Sequence, residues 1–160
     1  MFETLPADSR LWVFGLEKPG SNESEQHLLS RLRSFVSSWK AHGNPVRAEA
    51  EIVQHTFVVI AADPNVSEVS GCSIDAMFRS VSEFAEEVQL QIADFDRIFF
   101  RTENEIACVT RPEFKRLAAE GRVGADTAVF DTTVETLASF RVGWEKPLDE
   151  SWHKRLLPQI

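Results

Sequence analysis

Tyrosine is missing from the 160 residues, cysteine occurs only twice, and no glycine is followed by lysine. Each absence excludes a class of chemistry. Cys72 and Cys108 stand far apart and form neither a four-ligand zinc framework nor a C-x-x-C redox pair. Without a Gly-Lys pair there is no G-x-x-x-x-G-K-[ST] loop, whose backbone N–H groups and lysine hold phosphates. The chain is therefore expected neither to bind ATP tightly nor to hydrolyse it, and no cofactor is implied. His27, His42, His55 and His153 include no pair at the i, i+4 spacing of a helical metal site, so no metal is expected. Basic residues are outnumbered, 17 Lys and Arg against 25 Asp and Glu, for a net charge of −8. That balance opposes nucleic-acid binding, which rests on neutralising phosphates, and favours solubility. No apolar run reaches the length of a membrane span, and residues 1–10 lack the basic-then-apolar pattern of a secretory leader. A cytoplasmic protein with no membrane partner is expected.

What is present is a globular composition, 43% hydrophobic and 26% charged, with 12 Phe and 4 Trp as core-forming aromatics. Residues 9–16 read as a strand (Leu11, Trp12, Val13, Phe14, Leu16), broken by Pro19-Gly20-Ser21. From Asn22, helical spacing links Leu28, Leu29, Leu32, Phe35, Val36 and Trp39, with Gly43 and Pro45 as the stop. Residues 46–54 and 55–62 form two strands, the second buried through Phe57-Val58-Val59-Ile60. The junction at Gln54-His55 lacks the Asn-Gly chemistry of a tight hairpin. A second helix follows Gly71, with Ile74, Met77, Phe78, Val81, Phe84, Ala85 and Val88 on one face. Strands at 97–101 and 105–110 precede a short helix opened by Pro112 and stopped by Gly121, then a strand at 127–130. Another helical turn falls within 132–137. Residues 144–153 read as an irregular tail anchored by Trp144 and Trp152.

The order predicts an α+β fold. Residues 1–101 form a ferredoxin-like β-α-β-β-α-β core, both helices on one face of an antiparallel sheet. Residues 102–160 extend it as a β/α segment and aromatic tail within the same domain, the extension as a whole reading β-β-α-β.

Chemistry-bearing side chains crowd together at Ser70-Gly71-Cys72-Ser73-Ile74-Asp75, where a loop becomes a helix. On a catalytic reading the helix dipole draws Cys72 toward thiolate. Yet six residues separate it from Arg79, one more than a phosphatase-type loop needs. Asp75 also places a negative charge within one turn. On a structural reading Ser73 is the N-cap, Cys72 packs on Met77 as a staple, Gly71 supplies the turn and Asp75 complements the dipole. The ligand-binding candidates are Gly71, Cys72, Ser73, Asp75, Arg79, Trp152 and His153, and a Cys72–His153 dyad is open to the tail. Cys108, inside an apolar strand, is expected in the core.

The 70–75 stretch, together with Asp126-Thr127-Ala128-Val129-Phe130-Asp131 and Ser151-Trp152-His153, resembles a bacterial family of unassigned function over nearly the whole chain. Its members often carry the label "ABC transporter ATPase", an activity that the missing phosphate loop rules out here. Residues 97–131, with Leu117-Ala118-Ala119-Glu120-Gly121-Arg122-Val123 and Asp126-Thr127-Ala128-Val129-Phe130, are similar to bacterial GYF-like domains. That resemblance implies a module docking proline-rich segments against aromatics. Phe130 stands where those domains usually carry Trp.

Three functional readings follow. The leading one is a non-catalytic protein that binds a small molecule or another protein at a groove between the second helix's N-terminus and the aromatic tail. The others are a thiol-dependent enzyme using Cys72, and a structural subunit of a homo-oligomer sealed through the tail.

Overall fold

Strand β5 (Phe57–Ala62) is buried at every one of its six residues, so both its faces need a cover. The structure, a computed structural model describing residues 1–159, supplies one on each side. β5 is the middle of a three-stranded antiparallel sheet between β1 (Arg10–Gly15) and β4 (Ala48–Val53). The register sets Val13 opposite Val59 and Ile52 opposite Val58. Alternation then sorts the side chains by face. Phe14, Ala50, Val58 and Ile60 pack with Leu28, Leu32 and Val36 of α1 (Asn22–Ser38) and Met77 and Val81 of α2 (Gly71–Glu87). Both long helices thus cover one face, as their apolar stripes require.

Leu11, Val13, Phe57 and Val59 point the other way and meet Phe99, Phe130, Phe140 and Trp144. Those partners belong to or flank a second sheet. It contains β6 (Ile98–Arg101), β7 (Ile106–Val109), β8 (Ala128–Phe130) and β9 (Glu145–Pro147), in the order β7-β6-β8-β9. The α+β class is observed, but the strand expected at 97–101 does not complete the first sheet. A single ferredoxin-like sheet would leave Phe57, Val59 and Ala61 facing solvent, and stacking the second sheet there buries them. Strand β6 needs the same arrangement, since Phe99 points into the inter-sheet core while Ile98 and Phe100 pack on Phe114 and Leu117 of α3 (Arg111–Ala119). Gly15 admits the Phe99 ring, into which a Cβ at that position would run. The layers are therefore α1 and α2, first sheet, second sheet, and α3 with the chain's end.

Several local details differ from the sequence reading. α1 itself starts at Asn22 as expected, capped by Ser21, whose hydroxyl accepts from Ser24 N–H at 3.1 Å. β2 (Lys40–Ala41) and β3 (Asn44–Pro45) form a small extra hairpin through His42 and Gly43, both at positive φ. The β4–β5 turn places Gln54 and His55 at φ 52° and 58°, a left-handed pair without glycine. His55 Nδ1 lies 2.7 Å from Glu25 Oε2, which ties that turn to α1.

The helical turn expected within 132–137 comes later, as α4 (Leu137–Gly143) capped by Thr136. The tail from Trp144 is more regular than expected, holding β9 and then 3-10 turns at Leu148–Glu150 and Trp152–Leu156. Trp144 is buried between the sheets, stacked on Phe140 at 4.9 Å, and Trp152 is half-buried on the α3 side. No described helix is long and apolar enough to cross a membrane.

Candidate functional site

Helix α2 begins three residues earlier than a Ser73 cap would place it. Ser70 is the N-cap, its hydroxyl accepting from Ser73 N–H at 3.3 Å, while Ser73 Oγ donates back to Ser70 O at 2.7 Å. With Ser70 as cap, Val69 and Ile74 hold the two staple positions, and both join the helix-side core. Cys72 then lies inside the helix, about 140° around its axis from Met77, five residues on. Met77 is buried and Cys72 exposed, so the expected Cys72–Met77 contact does not form. Ser73 is buried, and its carbonyl accepts from Trp39 Nε1 at 3.0 Å, locking α2 to the end of α1. Gly71, Asp75 and Arg79 are exposed. We expect Ser70→Ala to cost about 1 kcal/mol in urea unfolding. A loss no larger than that of an exposed-surface control would show that the cap contributes nothing.

Trp152 and His153 lie in the opposite outer layer. Trp152 Nε1 donates to Asp131 Oδ1 at 3.2 Å, and its ring stacks on His153 at 3.9 Å beneath the Arg111 guanidinium. His153 is buried against Phe114, with Ser151 Oγ 2.7 Å from its Nδ1. Both sheets stand between this cluster and Cys72, so the structure builds neither the joint groove nor a Cys72–His153 pair. Cys108, half-buried on β7, has its thiol pushed up by burial.

The side chains the fold does bring together lie along the free edge of β1. Phe14, Phe78 and Phe95 form a triangle, with ring centroids 5.3, 5.9 and 5.7 Å apart. Phe95 is 67% exposed at its lip. Nearby, the Arg10 guanidinium sits 5.0 Å above the Trp12 ring. Between this wall and residues 132–136 lies a cleft of about 360 Å³, within the size range of small-ligand sites. Its lining contains threonines, Arg10 and Glu135, with no thiol or imidazole. Periodicity placed Phe78 on the core-facing stripe of α2, where it is half-buried, but gave no role to Phe95. The available signal was an aromatic set between Asp94 and Asp96, where a loop would ordinarily be polar.

A larger and shallower groove of about 910 Å³ runs between α3 and the second sheet. Phe100, Val109, Leu117 and Val123 contribute apolar lining, but the arginines at its rim are already engaged. Arg116 meets Glu120 at 2.9 Å, Arg122 meets Glu120 at 4.0 Å, and Arg101 meets Glu145 at 2.7 Å. Its one aromatic, Phe100, is buried, so it offers no exposed ring on which a proline could stack. Comparison with family models, curated proteins and solved structures finds no match.

Proposed function

We propose that this chain is a non-catalytic binding protein, acting in the cytoplasm, whose ligand site is the aromatic-walled cleft along β1. The observation carrying the reading is Phe95, a large apolar ring held in solvent beside two others and next to a sheet edge. Such a ring gains most when a ligand covers it. The guanidinium above Trp12 and the Thr132 hydroxyl on the facing wall add the few polar groups that orient a bound molecule, the Thr133 and Thr136 hydroxyls being held by Asp131 and Ser139. We also read residues 10–62 with α2 as a ferredoxin-like unit three strands wide, its fourth strand position left open beside β1.

The test is amide chemical-shift mapping with a set of small aromatic and amide fragments. Shifts are expected to cluster at residues 10–13, 78, 95 and 132–136. They should disappear in Phe95→Ser, which touches an exposed side chain and should leave unfolding within about 0.5 kcal/mol of the parent. Shifts clustering instead on the α3 groove or around Cys72 would overturn the reading.

A further inference from the structure

We infer that the cleft's occupant is an extended peptide segment, which joins the first sheet as an added strand beside β1. The inference rests on the binding reading above and deepens it.

Along an antiparallel strand, the peptide groups of alternate residues turn toward the same neighbour. Leu11 N–H donates outward to Glu135 O at 2.9 Å, and Gly15 O accepts from Ala93 N–H at 2.8 Å. Odd-numbered residues of β1 therefore face away from β5. Val13 lies midway, so its N–H and C=O face the cleft. Among the described residues no main-chain group meets them. An N–H and C=O turned into a cleft at a sheet edge are the groups with which an added strand pairs.

The vacancy has definite ends. Isolated bridges close it at Arg10–Thr136 and Leu16–Ile92. The span between them is roughly 20 Å at strand spacing, and part of each end is taken by the bridging segments. What remains suits a few residues of extended chain. The sequence order leads a strand toward this position after α2, but the chain meets one end of it at residues 91–93, leaves for the second sheet, and returns to the other end at residues 135–136.

Side-chain alternation specifies the occupant further. Trp12 and Phe14 point to the helix side, so peptide residues opposite them point there too and meet Phe78 and Phe95. Those positions call for apolar side chains. At the other end the Arg10 guanidinium engages the Trp12 ring rather than a carboxylate, leaving a cation at the mouth of the cleft in a chain of net charge −8. An acidic peptide residue complements it. Glu135 shares that rim, so one acid fits and a run of acids does not. The partner is thus a protein segment with alternating apolar residues and a single acid, bound by strand addition.

The probes are two blocked heptapeptides with valine at alternate positions, threonine between, and one aspartate at either the first or the last position. At least one should bind saturably and slow hydrogen exchange of the Val13 amide tenfold or more. Methylating the peptide nitrogen that faces Val13 should weaken it at least tenfold, and Arg10→Gln should weaken it less. Equal binding by the methylated peptide would overturn strand pairing while leaving a side-chain cleft intact. Fragment shifts around Phe95 with no saturable peptide binding would overturn the peptide class alone. Protection of Val13 that grows with protein concentration, together with a doubled mass in sedimentation, would replace the peptide with a second copy of the chain. Silence of the cleft toward fragments and peptides alike would overturn both proposals.

Discussion

Phe57→Ala is expected to lower the unfolding free energy by about 3–5 kcal/mol, the cost of emptying a large aromatic site in a packed core. Phe57 is 0% exposed and opens β5 on the face turned to the second sheet. Its ring lies 5.0 Å from Phe99, 5.0 Å from Phe130 and 4.7 Å from Trp144, centroid to centroid. Edge-to-face and tilted pairs of this kind contribute beyond the area they bury. The three partners come from β6, β8 and the end of α4, so one truncation loosens three of the elements that hold the second sheet to the first. Domains of this size are typically stable by about 5–15 kcal/mol, which would leave the variant marginal. Urea unfolding followed by tryptophan fluorescence measures it, since Trp144 reports on the same site. A loss below about 1 kcal/mol would mean that the inter-sheet contact is not a shared core.

The second large effect concerns acid. His153 is 1% exposed, and burial pushes its pKa from 6.5 down to about 4. The Asp131 carboxylate pulls the other way, while Arg111 and Lys146 add to the fall. The folded chain therefore keeps this imidazole neutral at pH values where the unfolded chain protonates it. Since the unfolded state binds the extra proton, stability rises with pH across this window. It is fully present above pH 6.5 and is lost as pH falls toward 4. The swing amounts to about 3 kcal/mol from this one group. His153→Gln keeps an amide near Ser151 but does not titrate, so its stability should change far less between those limits. Carboxylates that titrate at the lower end act on both proteins, and the difference between the two curves isolates the histidine. Parallel curves would show that His153 ionises freely in the folded state.

Some of this was legible in the residues alone. The helical periods of Leu28, Leu32 and Val36 and of Met77, Val81 and Ala85 identified both long helices and their buried faces. The run Phe57-Val58-Val59-Ile60 announced a strand buried on both sides, and Pro112 and Gly121 bracketed α3. These features depend on neighbours within a few positions, where backbone geometry and side-chain spacing act directly. Burial of both faces of β5 could be read, but what covers the second face could not, because apolarity is not directional. The choice between Ser70 and Ser73 as cap turned on packing, with Val69 and Ile74 both drawn into the helix-side core. Helix ends within one turn of each other look alike until that packing is known. The separation of Cys72 from His153 likewise followed from stacking the second sheet beneath the first. Only the tertiary structure showed that β6 leaves the middle of β1's edge, at Val13, without a neighbouring strand, with Phe95 exposed beside it. A strand's local pattern encodes which of its faces is buried, while its neighbour is set by the competition among every apolar surface in the chain.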